Sequence, residues 1–469
     1  MFGIRLDRAS AVSLPQQLTS EIRSRILEGR LTRRDKLPPS RILAKDLCVA
    51  RNVVVQAYEQ LLVEGYLTSR VGSGTFVTDL EIPHADRQAR LVATRARPAP
   101  SPAPGTADIS FNPGLPDLGR FPRLLWAKTL KEVCIGARPG AFGYGSVQGE
   151  RALREALVGY LWRSKGIECH PEQLVIVSGA AQGTDLLARL RHTAGTVVFE
   201  DPGYDHVRQI FKHNGLGLTP IPVDGRGLRT DALPARGRCA FIYVVPSHQF
   251  PLGGILPIER RLVLLEYARR RGALIIEDDY DSEFRYCGEP IQSLRHLAPD
   301  LVVYVGTFSK IFSPGLRLGF MILPDHLTQT VCRLKEELNM RTPPLEQLAL
   351  ARFIEGRLLD RHIFRMKRIY QGKRKCLIEA LGRAFGHRVR ITGEDAGLHL
   401  LVEFLDRDFQ RADFPRLAKR GVKVDWVEDY ASRKGLHRNQ LVLGYGGLEP
   451  DQIEEGVLRL KALVTGAVS

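Results

Sequence analysis

Residues 301–324 read LVVYVGTFSKIFSPGLRLGFMILP, and the rest of the chain is organised around them. Two apolar runs, 301–305 and 318–323, are rich in Val, Ile and Leu and have the length of buried strands. Between them stand Thr307, Ser309, Lys310, Pro314, Gly315 and Arg317. A lysine just past a buried strand can form a Schiff base with an aldehyde. The hydroxyls before it and the guanidinium after it can hold a phosphate, to which the planar fork of arginine is matched. Pyridoxal 5′-phosphate carries both groups. A strand–loop–strand with a solvated Lys and Arg fits these residues alone equally well, and the rest of the chain has to separate the two readings.

A chain of 469 residues has room for about three domains. Hydrophobic and charged contents of 44% and 26% are those of a soluble globular protein with a large core. The net charge of +16 and pI near 9.7 suit an anionic partner such as nucleic acid or an anionic membrane surface. No apolar run is long enough to span a bilayer, and the first residues, MFGIRLDRAS, lack the apolar stretch of a secretion signal. The seven cysteines are scattered, without CxxC or a zinc-like His/Cys spacing. Reduced thiols in a cytoplasmic protein, with no metal site, are the expectation.

The first part of the chain predicts a small helical domain with a wing. Leu14, Leu18, Ile22 and Ile26 recur every fourth residue, and Gly29 is placed to stop that helix. Ser40 can cap a second helix, the turn Cys48-Val49-Ala50 follows, and a third helix runs from about 51 to 64. Residues 66–77, YLTSRVGSGTFV, alternate around Gly72-Ser73-Gly74 as a hairpin does. This is the order of a winged helix-turn-helix, with one helix for the DNA major groove and a wing for the backbone. Candidate contacts are Arg41, Arg51, Asn52 and Gln56, with Arg70 and Ser73 in the wing. Arg, Asn and Gln reach guanine and adenine edges, and Arg and Ser also serve phosphates. A helical subdomain with a solvated basic face is the plainer alternative. Domain boundaries are expected at 1–78 for the winged part, 79–107 for a Pro-, Ala- and Arg-rich linker, and 108–469 for the remainder.

Residues 108–469 read as α/β. Strand candidates at 174–177, 197–199, 241–245, 274–276 and on both sides of Lys310 alternate with helical stretches such as 182–190 and 259–271. That pattern predicts a mainly parallel sheet covered by helices, with ligands at the carboxyl ends of its strands. The residues following the strands are the chemically interesting ones. Ser178-Gly179-Ala180-Ala181 opens a helix and can bind phosphate, or simply close a turn. Tyr204, after Glu200-Asp201-Pro202-Gly203, can stack on a flat ring or pack under its proline turn. In PSHQFPLGG, Ser247 or His248 can bond a ring hydroxyl. Asp278, in Glu277-Asp278-Asp279-Tyr280-Asp281, ends a buried strand, where a carboxylate needs a cationic partner. A protonated pyridine nitrogen is one such partner and Mg²⁺ is another.

Two resemblances extend these readings. LPPSRILAKDLCVARNVVVQAYEQLLVEGYLTSRVGSGTFV resembles the DNA-binding domain of GntR-type transcriptional regulators, with Pro39, Cys48, Ala50 and Val53 where Ser, Gly, Ser and Thr are usual. Residues 108–469 resemble fold type I pyridoxal-phosphate enzymes of the aminotransferase class. That resemblance implies Lys310 as the Schiff-base lysine, Asp278 at the pyridine nitrogen, Tyr280 at the ring oxygen and Tyr204 as the stacking aromatic. It implies a phosphate cradle of Ala180, Ala181, Thr307, Ser309 and Arg317, with Tyr144 reaching the phosphate of a neighbouring subunit. A domain-swapped homodimer with shared sites follows from the last point. A winged helix, a linker and an aminotransferase-like domain in that order resemble the MocR subfamily. The implied function is a regulator of promoter DNA that senses pyridoxal phosphate, an amine or an amino acid. An active aminotransferase with a fused DNA-binding module is the alternative. Val442 stands where aminotransferases commonly clamp the substrate carboxylate with an arginine; Arg438 and His206 are the candidates for contacting the effector instead.

Overall fold

The computed structural model describes residues 4, 6–8, 10, 12–70, 73–79, 108–190, 195–288 and 291–465. The chain divides into two compact units, 1–105 and 106–469. Most of the expected linker, residues 80–107, lies outside the described residues, as do Val71 and Gly72 of the hairpin tip.

In the first unit, helices α1 (Leu14–Leu27), α2 (Ser40–Asp46) and α3 (Arg51–Val63) precede strands β1 (Leu67–Arg70) and β2 (Gly74–Val77). The four-residue spacing of α1 buries Leu18, Ile22 and Ile26 against Leu43, Val54, Ala57 and Leu61. Val77 of the hairpin closes the cluster opposite Leu67, and Arg70 pairs with Gly74 next to the turn. Arg23 of α1 grips Glu64, just past α3, through two hydrogen bonds of 2.9 and 2.7 Å. Cys48, in the turn between α2 and α3, has φ of 51°, a left-handed conformation that glycine adopts at least cost.

The second unit is built on an eight-stranded sheet: β3 (Leu174–Val177), β4 (Thr196–Asp201), β5 (Gly217–Asp224), β6 (Gly227–Leu228), β7 (Cys239–Val244), β8 (Leu274–Asp279), β9 (Val302–Thr307) and β10 (Gly319–Ile322). Their spatial order is β3-β10-β9-β8-β7-β4-β5-β6. The run β9-β8-β7-β4-β5 is parallel throughout, whereas β10 is antiparallel to both of its neighbours. β5 has no counterpart among the expected strands. Its Pro220 and Pro222 argue against a strand by composition, and they are tolerated because only the two-residue β6 lies beyond it.

Helices cover the sheet on both sides, including α4 (Arg123–Gly136), α5 (Arg151–Lys165), α6 (Ala180–Leu190), α7 (Asp205–His213), α8 (Ile258–Arg271), α9 (Asp325–Glu337) and α10 (Pro344–Glu355). Alternate residues divide between layers. Val197, Phe199, Phe241, Tyr243, Ile276 and Val305 enter one core, and Val198, Ile242, Val244 and Ile275 enter another.

A second, antiparallel sheet follows, which the strand pattern does not foresee. It contains β11 (Val389–Thr392), β12 (His399–Phe404), β13 (Asp425–Trp426) and β14 (Gln440–Gly444), in the order β11-β12-β14-β13. Leu400, Val402, Leu441 and Leu443 pack with helices α11 (Leu358–Phe385) and α12 (Pro450–Val464). Leu401 and Val442, on the opposite face, join the core of the large sheet. Among the described residues no helix is long and apolar enough to cross a membrane.

Candidate functional site

Parallel strands end in register, so the residues that follow them gather at one edge of the sheet. Lys310 lies just past β9, and Asp278 sits on the adjoining β8 opposite Val305. The Lys310 amine donates to the carbonyl of Gly114. A Cβ added to Gly114 would come within 3.1 Å of that amine, which would have to give by a few tenths of an ångström. Burial pulls the Lys310 amine below the usual lysine range, against the pull of the Asp281 and Asp278 carboxylates. A larger neutral fraction makes the amine a better nucleophile at neutral pH.

Asp278 is buried, and desolvation lifts its carboxyl to about 6 despite the hydrogen bond from the Tyr243 hydroxyl to Oδ2. Oδ1 has no partner at all. A buried carboxylate oxygen in that state is incomplete and calls for a donor. Its acidic neighbours turn elsewhere. Asp279 binds Lys165 at 2.9 Å and the Tyr304 hydroxyl at 2.5 Å, and Asp281 meets His248 Nδ1 at 3.1 Å. Asp278, Asp279 and Asp281 therefore form no common Mg²⁺ centre.

The Tyr280 hydroxyl lies 3.1 Å from His248 Nδ1 and donates to the His248 carbonyl. Ser247 lies apart from this network. It lines a cavity of about 40 Å³ with Lys165, Asp279 and Arg285. The His248 and His399 rings are 4.8 Å apart, and with Asp281 they make a buried group of three potential metal-ligand side chains. The sequence spacing hides that group, because 151 residues separate the two histidines and only the docking of the two sheets brings them together. Tyr204 stacks on Phe250 at 4.2 Å and meets Tyr280 edge-on at 5.6 Å.

A third group of the expected residues lies around the turn from β3 into α6 and the end of β9. Gly179, at φ 130°, turns the chain from β3 into α6, where its carbonyl accepts from the N–H groups of Gln182 and Gly183, ahead of which stand the N–H groups of Ala180 and Ala181. A Cβ on Gly179 would lie 4.0 Å from Arg317 Nη2, so this guanidinium reaches over the turn that Ala180 and Ala181 continue. Arg317 itself holds φ of 51°. Thr307 Oγ1 and Ser309 Oγ are hydrogen-bonded at 3.0 Å at the end of β9. Tyr144 stands outside this group; it is 82% exposed, with the Arg341 guanidinium 5.9 Å from its ring. His206 is exposed in the first turn of α7. Arg438 is exposed too, and its backbone carbonyl accepts from Trp426 and Phe409.

Sequence reasoning missed Gly114, Tyr243 and His399, and it weighed Asp281 only as a possible Mg²⁺ ligand rather than as the partner of His248. The compact FNPGLPD run around Gly114 is a visible signal for the first. Tyr243 and His399 become legible only once strand register is known.

In the first unit, Arg41, Arg51, Asn52 and Gln56 are all exposed, the last three along the first turns of α3. Arg51 Nε donates to Ser40 Oγ at 3.4 Å, tying the starts of α3 and α2 together. Ala50 caps α3 without a side-chain hydrogen bond. Arg70 and Ser73 are exposed in the hairpin, with Arg70 5.7 Å from the Phe76 ring.

The family model for aminotransferase class I and II matches residues 109–428, and that for bacterial regulatory proteins of the gntR family matches 14–77. A probable rhizopine catabolism regulatory protein MocR from Rhizobium meliloti is 35% identical, with 97% of this chain and 95% of that protein covered. The chain belongs to the MocR-type regulators of the gntR family. Another MocR-like relative, the pyridoxine biosynthesis transcriptional regulator PdxR of Corynebacterium glutamicum, is 34% identical over 96% of both chains. The aminotransferase-like part of this MocR-type chain matches the structure of LysN, an α-aminoadipate aminotransferase from Thermus thermophilus complexed with N-(5′-phosphopyridoxyl)-L-leucine. Identity is 28% and the TM-score 0.70, covering 76% of this chain and 92% of LysN.

Proposed function

We propose that this protein is a cytoplasmic, homodimeric transcription regulator whose winged head binds promoter DNA and whose aminotransferase-like body binds pyridoxal phosphate and an amine, amino-acid or cofactor signal. The observation that carries this reading is the placement of Lys310 just past one strand and Asp278 on the parallel strand beside it, with Asp278 Oδ1 buried and unpartnered.

The residues present fit the cofactor. Pyridoxal phosphate, when bound, supplies an aldehyde that combines with amines and a ring that withdraws electrons. Lys310 would hold it covalently. Asp278 Oδ1 would accept from the ring nitrogen and keep a proton there. The cradle of Ala180, Ala181, Thr307, Ser309 and Arg317 would bind the phosphate, and Tyr204 would lie against the ring. Tyr280, held by His248, would donate to the ring oxygen. Tyr144, exposed on its own subunit, would serve the partner's phosphate in a domain-swapped dimer. Arg41, Arg51, Asn52, Gln56, Arg70 and Ser73 would make the DNA contacts, and 1–78, 79–107 and 108–469 would be the head, linker and body. Effector binding beside Lys310 would shift the population of head arrangements and so the affinity for paired half-sites.

Reductive trapping tests the central point. Borohydride treatment of the parent protein with pyridoxal phosphate should leave a pyridoxyl adduct on the Lys310 peptide by mass spectrometry. Lys310→Ala should lose the adduct while keeping its fold by circular dichroism. An adduct on a different lysine overturns the assignment. The likeness to LysN favours the aminotransferase alternative, and repeated turnover of an amino donor with a keto acid would establish that reading instead.

A further inference from the structure

Tyr144 is exposed, yet the loop that carries it, residues 142–149, is tied down along its length. Lys335 of α9 is fully buried, and its amine donates to the carbonyls of Val147 at 2.6 Å and of Ile176 in β3 at 2.7 Å. Gln148 continues the join. Its carbonyl accepts from the backbone of Ile176, and its side-chain amide donates to the carbonyls of Glu172 and Leu174. Gly149, at φ 102°, brings the chain so close that a Cβ there would lie 2.3 Å from Ile176 Cγ1. On the Tyr144 side, Arg341 donates to the Gly145 carbonyl at 3.0 Å and is held by Glu336 at 3.0 Å. Its guanidinium stands 5.9 Å from the centre of the Tyr144 ring.

Holding a surface loop in this way costs desolvation. Burial pulls the Lys335 amine down to about 8, and both of its hydrogen bonds go to neutral carbonyls. Arg154 adds a second buried cation, donating to the carbonyls of Gly149 at 3.2 Å and Pro171 at 2.7 Å. The edge of β3 is already covered by Gln148 and Gly149. The contacts of Lys335 and Arg341 lie further along the loop, on either side of Ser146, and fix the direction in which Tyr144 leaves the subunit. A side chain that reaches a ligand outside its own subunit needs its backbone held to a fraction of an ångström.

Resting on the reading above in which Tyr144 serves the phosphate in the partner's site, we propose that Lys335 and Arg341 are positioning residues for Tyr144, so that each subunit sets the cofactor affinity of its partner's site rather than of its own.

The test uses full-length heterodimers with differently tagged subunits, one of which carries Lys310→Ala, so that only the other can hold pyridoxal phosphate covalently. Borohydride trapping on Lys310 at increasing times after dilution counts the cofactor retained. Arg341→Ala in the subunit lacking Lys310 should speed cofactor loss about fivefold or more, as a weakened bond to a charged group implies. The same substitution in the subunit that keeps Lys310 should stay within about twofold of the parent. Lys335→Met should show the same asymmetry, with its fold checked by circular dichroism; Arg341→Ala carries the test if the buried substitution unfolds the chain. Pyridoxal, which lacks the phosphate, should be lost equally fast with and without Arg341→Ala. Tyr144→Phe in the same two arrangements is the reference. An asymmetric Tyr144→Phe beside a silent Arg341→Ala overturns the inference and leaves the reading of Tyr144 intact. So does an Arg341→Ala effect that is equal in both arrangements or confined to the subunit holding the cofactor, which would make these side chains supports of their own β3 and cradle. A Tyr144→Phe without effect in either arrangement, or a chain that forms no dimer, overturns the reading of Tyr144 and this inference with it.

Discussion

The two units of the chain arrange their functional groups in opposite ways. In the winged head, Arg41, Arg51, Asn52, Gln56 and Arg70 are exposed, and an apolar cluster behind them fixes their spacing. In the body, Lys310 and Asp278 are withdrawn from water, and burial shifts both towards their neutral forms. A surface that reads phosphates and base edges works by presenting charge that solvent has not neutralised. A covalent cofactor pocket works by dehydrating its reactive groups and supplying fixed partners. The same chain therefore pays in stability only at the second site. That difference decides which substitutions should help the fold and which should hurt it.

The largest effect should come from Asp278→Asn. In the folded protein the Asp278 carboxyl is raised to about 6, against an unfolded value near 4. Between those values the native state keeps a proton that the unfolded chain releases. The stabilisation is therefore complete below pH ~4 and is lost as pH rises through about 6. Asparagine removes that penalty. The cofactor-free variant should be more stable than the parent at pH 8 by on the order of 1–3 kcal/mol, with the difference shrinking towards pH 5. Urea melts of both proteins at the two pH values measure it. The buried Glu277, raised to about 7, titrates alike in both proteins and cancels in the difference, whereas Glu200, raised to about 8 in part by the Asp278 charge, shifts down in the variant and adds to its gain at high pH. The same variant should retain pyridoxal phosphate poorly, so a gain in stability would accompany a loss of function. A variant less stable than the parent at pH 8 would mean that Asp278 is not a strained carboxylate.

Arg51→Ala should act only on DNA. The side chain is exposed, and its single bond within the unit, to Ser40 at 3.4 Å, is long. The melting temperature should barely move, while promoter affinity should fall by about 1–3 kcal/mol, roughly five- to 150-fold. Titrations at several salt concentrations distinguish the two kinds of contact. A loss of about one from the salt slope marks a phosphate contact, and an unchanged slope with relaxed sequence preference marks a base contact. Unaltered affinity would remove Arg51 from the recognition surface.

How much of this was legible in the sequence differs between the same two regions. The head was readable almost to the residue, because its periodic positions, Ser40 start and glycine hairpin are local signals. The strand ends that carry Lys310, Asp278 and Tyr204 were readable too, because runs such as LVIV and VVYVGT are apolar on both faces. The second sheet was not. Its strands include the half-exposed VRIT and the two-residue Asp425–Trp426, whose pairing depends on contacts between segments far apart in the chain. With that sheet unseen, the meeting of His248 with His399, the place of Asp425 beside Val442 and the exposed position of Arg438 could not be read.

The smallest effect tests the local end of that contrast. Cys48 holds φ of 51° in the turn before the recognition helix, and its carbonyl accepts a 2.6 Å hydrogen bond from Arg8. A side chain in the left-handed region costs roughly 1–2 kcal/mol, which glycine avoids. Glycine also gains more freedom in the unfolded chain, which returns part of that advantage. The net expectation for Cys48→Gly is a stabilisation of about 0.5–1 kcal/mol, read as a small rise in the melting temperature of the head. The Cys48 side chain is exposed and packs into no core, so no cavity opposes the gain. Affinity for DNA should stay within about twofold of the parent, since the turn keeps its backbone path. A destabilised Cys48→Gly would show that the thiol, which lies 3.8 Å from the Lys45 carbonyl, holds the turn more firmly than its conformational strain loosens it.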